Sequence, residues 1–179
     1  PRTGELAWYF QHQANDQYDL DWVFERVIGT IAVDGQPRRV VMTGGKNGLF
    51  DTLDAATGRY IATVDMGYQD YITAIDPVTG AKTPNPDLLP GRDRPPVFMC
   101  PHAGGGRNWS PSAFNQQTHR LFVNARDTCM ELVPNQEGGF LSSGVDVYYS
   151  APADSDGNYG ILQGIDMAEG RVLWETRRR

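Results

Sequence analysis

Three carboxylates fall within six residues in the segment Phe10-Gln11-His12-Gln13-Ala14-Asn15-Asp16-Gln17-Tyr18-Asp19-Leu20-Asp21. Asp19 and Asp21 are two positions apart, which puts both on one face of an extended chain. Like charges held that closely repel unless a cation neutralises them or one carries a proton. The spacing therefore admits a hard-cation site, because oxygen ligands select such metals. Taken alone, the segment reads first as a solvated acidic loop and only next as such a site. Other clusters carry less. Gly104-Gly105-Gly106 is a flexible run and no phosphate loop, since no Lys-Ser/Thr follows it. Asp154-Ser155-Asp156-Gly157-Asn158 resembles a calcium loop superficially. Tyr159 and Ile165 stand where an EF-hand needs Gly and Glu, which rejects it. His12, His102 and His119 are too scattered for a metal triad and read as structural or exposed residues.

The elements that must hold these residues are strands. Val27–Val33, Arg39–Thr43, Tyr60–Val64 and Leu121–Ala125 are short β-branched and aromatic runs bounded by turn residues. Asp34-Gly35 between two runs signals a hairpin. A repeat then emerges: Leu53–Ile61, Ile75–Lys82 and Ile165–Trp174 each place an apolar residue and Asp, a short spacer and Gly before a second apolar run. Thr3-Gly4-Glu5-Leu6-Ala7-Trp8 matches its tail. Asp accepts backbone N–H bonds in such a turn and Gly supplies positive φ. Repeated hairpins of this kind favour radial blades. Uneven spacing implies long loops: six prolines between Pro84 and Pro101 disfavour a central strand there, and residues 134–160, rich in Gly, Ser, Asp and Asn, read as a surface excursion.

Composition sets the outer bounds. The 179 residues are 40% hydrophobic and 21% charged with a net charge of −6, which is globular and disfavours a nucleic-acid partner. No apolar stretch approaches the roughly 20 residues of a membrane span. The opening Pro1-Arg2-Thr3-Gly4, with no initiator Met or signal peptide, is expected of a trimmed chain or a piece of a longer one. Cys100 and Cys129 by themselves leave the compartment open.

In family order, the stretch from Thr3 to Asp21, the turn Gly45-Lys46-Asn47-Gly48-Leu49-Phe50 and the segment Cys100-Pro101-His102-Ala103-Gly104-Gly105-Gly106-Arg107-Asn108-Trp109 resemble the quinoprotein alcohol dehydrogenases, which use pyrroloquinoline quinone (PQQ). The resemblance implies an all-β fold: residues 1–179 as part of an eight-bladed β-propeller with tryptophan-docking-type repeats, about three blades with long loops. It implies that Asp19 is the catalytic base, with Tyr18 where the family usually has Trp. Lys46 takes the place of the cation that contacts the quinone oxygens and stabilises the growing oxyanion. Asn108 corresponds to the residue that hydrogen-bonds PQQ, with Arg107 in place of Lys. Trp109 is expected to wall the site or, more ordinarily, to pack in the core. The same resemblance pairs Cys100 with Cys129 in a disulfide, and so points to the periplasm. Asp19 and Asp21 become metal ligands, the metal being calcium or a lanthanide. The second carboxylate at Asp21 suits a trivalent ion, although a structural carboxylate there is the competing reading. A small alcohol as substrate and a cytochrome c-type electron acceptor complete the expectation. The family's upstream metal-binding Glu and Asn and its vicinal disulfide have no counterparts here, and no Cys-x-x-Cys-His haem motif occurs. A non-catalytic propeller scaffold and an inert piece of a dehydrogenase are the alternatives.

Overall fold

The computed structural model describes residues 3–89, 91–138, 145–152 and 155–179. Pro1, Arg2, Pro90, residues 139–144, Ala153 and Asp154 lie outside the described residues; so do parts of the proposed 134–160 excursion, and the Asp of the rejected calcium loop.

Two four-stranded antiparallel sheets dominate. The first runs in chain order through β1 (Val27–Val33), β2 (Gln36–Gly44), β3 (Leu49–Asp54) and β4 (Tyr60–Asp65). A small hairpin, β5 (Ile72–Ile75) and β6 (Lys82–Pro84), follows it. A single 3₁₀ turn at Pro86–Leu88 then leads to β7 (Val97–Met99). The second sheet has the order β13-β12-β9-β8, from β8 (Ala113–Asn115), β9 (Arg120–Arg126), β12 (Gly160–Asp166) and β13 (Arg171–Arg178). Between β9 and β12 the chain leaves to form β10 (Cys129–Pro134) and β11 (Val145–Ser150), which join β7 in a three-stranded sheet.

Alternation explains the packing. Val40 and Met42 on β2, with Ile31, Phe50 and Val64, meet Leu121, Val123, Ile161 and Ile165 of the other large sheet in one core. Leu49, next to Phe50, points the other way into a second core with Tyr18, Leu20, Trp22, Tyr71, Met99, Met130 and Leu132. β3 is buried along its whole length because it separates the two cores. The Gly45–Gly48 turn therefore opens where both cores begin.

The repeated turns form as their sequences require. The Asp54 Oδ1 accepts from the Ala56 and Thr57 amides, Asp76 from Val78 and Thr79, and Asp166 from Ala168 and Glu169. Each closes on a glycine N–H bonded to the Asp carbonyl, at Gly58, Gly80 and Gly170, all with φ between +67° and +73°. Gly58 has a second duty: Trp8 lies on it so closely that a Cβ would stand 2.5 Å from Cε3, and the indole donates to Ala55 O at 3.2 Å. The Asp34-Gly35 hairpin has positive φ at both residues. Two features differ from the sequence expectation. The 134–160 stretch contains β11, whose Val145 and Val147 turn into the second core. A fourth turn of the repeat type spans Asn115–His119, with Asn115 Oδ1 accepting from the Gln117 and Thr118 amides and His119 at φ +54°. Asn and His take the places of Asp and Gly there, so the pattern was hidden.

Candidate functional site

Asp19 stands at φ +61°, in the left-handed region that non-glycine residues adopt sparingly. Its neighbours hold it there. Asp16 accepts from the Tyr18 amide at 3.1 Å and from the Leu20 amide at 2.6 Å, bracketing Asp19 on both sides. Tyr18 and Leu20 are wholly buried, and the Tyr18 hydroxyl donates to Leu88 O. With Tyr18, Leu20 and Trp22 driven inward, Asp19 and Asp21 are left on one side, although Asp19 does not have the extended backbone that the two-residue spacing assumed.

Both carboxylates converge on one cation. Lys46 Nζ lies 2.8 Å from Asp19 Oδ2 and 2.7 Å from Asp21 Oδ1, while the Lys46 side chain is only 10% exposed. Burial alone would depress its ammonium, but the hydrogen bonds and charges of Asp19 and Asp21 outweigh that and hold its pKa above the usual lysine value. The main chain locks the same pairing: the Lys46 amide donates to Asp21 O at 3.1 Å.

The glycine-rich loop closes over Lys46 from the other side. The Gly106 amide donates to Lys46 O at 2.7 Å, and Gly106 O accepts from the Arg126 amide. Gly105, at φ +85°, presses on the lysine stem so that a Cβ would come within 2.7 Å of Lys46 Cβ. Arg107 anchors the loop. Fully buried, it donates to Gly44 O, to Ser112 Oγ and to Glu25, and lies over the rings of Phe24 and Phe50. Burial raises the Glu25 carboxyl, but the bonds from Arg107 and Ser112 outweigh it and leave the pKa below the usual range. Half-buried Asn108 donates from Nδ2 to Gly104 O at 2.8 Å and has no partner on its buried Oδ1 among the described residues. Trp109 corrects the core-packing expectation. It is 75% exposed in this chain and touches Phe24 edge-on at 5.5 Å.

Asp19 with Asp21, Lys46 and the loop bearing Asn108 are thus brought together from three separated stretches of chain. Cys100 and Cys129 are disulfide-bonded and tie the start of that loop to β10. Asp16 and Arg107 escaped the sequence reading as positioning groups. An Asp two residues before a buried aromatic carries an Asx-turn signal that could have found the first. No one-dimensional signal marks Arg107 as buried. A second polar cluster was also missed: Asp51 on β3 accepts from His12, Lys82 and Thr63 at 2.8, 2.7 and 2.6 Å, beside Trp22. Among the described residues no three His, Cys, Asp or Glu side chains gather as a complete metal site, and no helix is long and apolar enough to cross a membrane.

The chain is similar in sequence and fold to known proteins. Residues 1–70 match the family model described as the glucose/ethanol/alcohol dehydrogenase β-propeller domain of the PQQ enzymes. The dehydrogenase subunit of the quinone alcohol dehydrogenase of Komagataeibacter europaeus is 33% identical over 140 residues, covering 78% of this chain and 19% of its own length. The quinohemoprotein alcohol dehydrogenase of Comamonas testosteroni superposes with a TM-score of 0.81 at 22% identity, covering 98% of this chain and 28% of that structure. A europium-containing methanol dehydrogenase superposes with a TM-score of 0.78 at 23% identity, over 91% of this chain and 29% of that one. The chain thus spans about a fifth of the length of the first of these relatives. With a relative 33% identical over 78% of its length, antiparallel sheets whose hairpins turn on Asp and Gly, and the family-model match over residues 1–70, this chain belongs to the PQQ-dependent alcohol dehydrogenase family, as part of its β-propeller.

Proposed function

We propose that this chain contributes the base, the fixed cation and one cofactor contact of a PQQ-dependent dehydrogenase that oxidises a small alcohol. The observation that carries the reading is the convergence of Asp19 and Asp21 on Lys46 within 2.8 Å, with the Asn108 loop bonded to the same lysine. The residues present fit the absent groups. The buried Asn108 Oδ1 has no partner among the described residues and so retains unused acceptor capacity for a cofactor N–H. The two carboxylates beside Lys46 are donors of the oxygen type that a hard metal ion takes.

When bound, PQQ supplies the hydride acceptor and calcium or a lanthanide the Lewis acid. Asp19, with 46% of its side chain open to solvent, takes the alcohol hydroxyl proton at a carboxylate oxygen. Lys46 keeps a positive charge fixed where negative charge develops, and its burial strengthens that effect. Asn108 orients the cofactor, and exposed Trp109 is left as a flank of the same loop. Asp21 adds a second anionic ligand, which favours a trivalent ion. The Cys100–Cys129 disulfide supports a periplasmic location, where a cytochrome c-type acceptor would collect the electrons.

Asp19→Asn tests the reading, because it keeps the shape and removes the basicity. Turnover of the PQQ-loaded enzyme is expected to fall by at least about a thousandfold while PQQ still binds. Near-normal turnover would mean that the base lies elsewhere. For the metal, apoenzyme reconstituted with PQQ and lanthanum is expected to outperform the calcium form. Asp21→Ala should abolish that preference.

A further inference from the structure

The Asp51 cluster lies outside the proposed reactive groups, yet it is built from charge where apolar packing would serve stability. Asp51 and Lys82 are both fully buried, paired at 2.7 Å. Such a pair is a weak source of stability, since desolvation consumes most of its attraction. Burial drives the Lys82 ammonium below the usual lysine pKa, and the Asp51 charge offsets only part of that. The His12 Nδ1 stands 2.8 Å from the same Asp51 oxygen, within donating distance of the carboxylate. Thr63 fills the other carboxylate oxygen at 2.6 Å. The cluster joins three distant pieces of chain: the segment before Asp16, strand β3 and strand β6.

Trp22 is what these groups grip. The His12 ring stacks parallel to the indole at 4.5 Å, and Lys82 Nζ stands 4.9 Å from the ring centroid. Gly45 lies against the same ring so tightly that a Cβ would be 2.2 Å from Cε2. Trp22 directly follows Asp21, and Gly45 directly precedes Lys46. The indole therefore sets the spacing between the two main chains whose bond, Lys46 N–H to Asp21 O, closes the site.

We infer that Asp51, His12 and Lys82 are positioning residues, which clamp Trp22 and thereby fix the Asp21–Lys46 geometry. This rests on the proposed function for its catalytic consequence, but not for its structural one. The test is the double variant Asp51→Asn/Lys82→Met in the holoenzyme, which removes both charges together. It keeps one acceptor oxygen at position 51, the amide NH2 facing the other of His12 and Thr63. The melting temperature is expected to stay within a few degrees. Hydrogen exchange of the Lys46 amide, a readout needing no cofactor, should quicken at least tenfold, and kcat should fall at least tenfold with KM for the alcohol within twofold. His12→Gln keeps a donor to Asp51 and removes the stacked ring, so it should give the same signature more weakly even if the double variant folds poorly. Unchanged Lys46 exchange in folded protein of both variants would overturn the inference. So would a lost melting temperature with unchanged kcat per folded molecule, which marks a purely structural cluster. An Asp19→Asn enzyme with normal turnover would instead defeat the functional reading and leave the exchange result standing.

Discussion

Asp16, Asp19 and Asp21 look alike in the sequence, and the fold gives them different work. Asp16 is consumed by two backbone amides, so it orients the loop and meets no ligand. Asp16→Ala is expected to cost about 1–3 kcal/mol, because the Tyr18 and Leu20 N–H groups lose their acceptor. Urea unfolding measures that cost, and Asp16→Asn, retaining one acceptor oxygen, should lie between. Asp19, Lys46 and Asn108 were singled out through the resemblance of their segments to a family, since taken alone an acidic loop, a turn lysine and a glycine run carry little. What separates Asp16 from its neighbours is the burial of Tyr18 and Leu20, which depends on Leu88, 70 positions away. Arg107 was opaque for the same reason: its partners Gly44 and Glu25 lie 63 and 82 positions back.

The strands and turns were the most legible level, since each depends on residues a few positions apart. β1 occupies Val27–Val33 as the apolar run indicated, and the Asp-Gly repeat gives three matching turns. The Asn115–His119 turn and β11 were missed where substitution or a polar neighbourhood masked the local signal. The two kinds of turn glycine can be separated by experiment. Gly170→Ala meets nothing within 4 Å and pays only for its φ of +67°, about 1–2 kcal/mol. Gly58→Ala carries the same strain and also displaces Trp8, adding about 1–3 kcal/mol of overpacking. Paired thermal melts should therefore rank Gly58→Ala well below Gly170→Ala. The turn carboxylate is also pH-sensitive. The Thr57 hydroxyl, then Arg38, hold Asp54 below its ordinary pKa of 3.8. Its contribution is complete above that value and disappears as pH falls through the lower folded one. Melting between about pH 5 and 2 should decline less steeply in Asp54→Asn than in the parent protein.

At the scale of the whole molecule, the Cys100–Cys129 bond ties the site loop to the three-stranded sheet across 29 positions. Reduction is expected to remove about 3–4 kcal/mol in the chain-entropy picture, read as a lower denaturation midpoint with thiol present. The two large sheets share one core, but they are assembled over very different stretches of chain. The first is a meander of adjacent hairpins complete by Asp65. The second must pair Arg126 with Gly160 across the segment of chain that carries β10 and β11. Closing such a loop costs entropy before any contact repays it, which slows folding. During synthesis the first sheet is whole while half of its covering layer is still untranslated. Its apolar face, with Val40, Met42 and Phe50, waits uncovered for β12 to arrive. The interval between those two events is the vulnerable period for this polypeptide, the time in which a chaperone has something to hold. Pulse-labelled exchange should accordingly find β2 and β3 protected before β9 and β12.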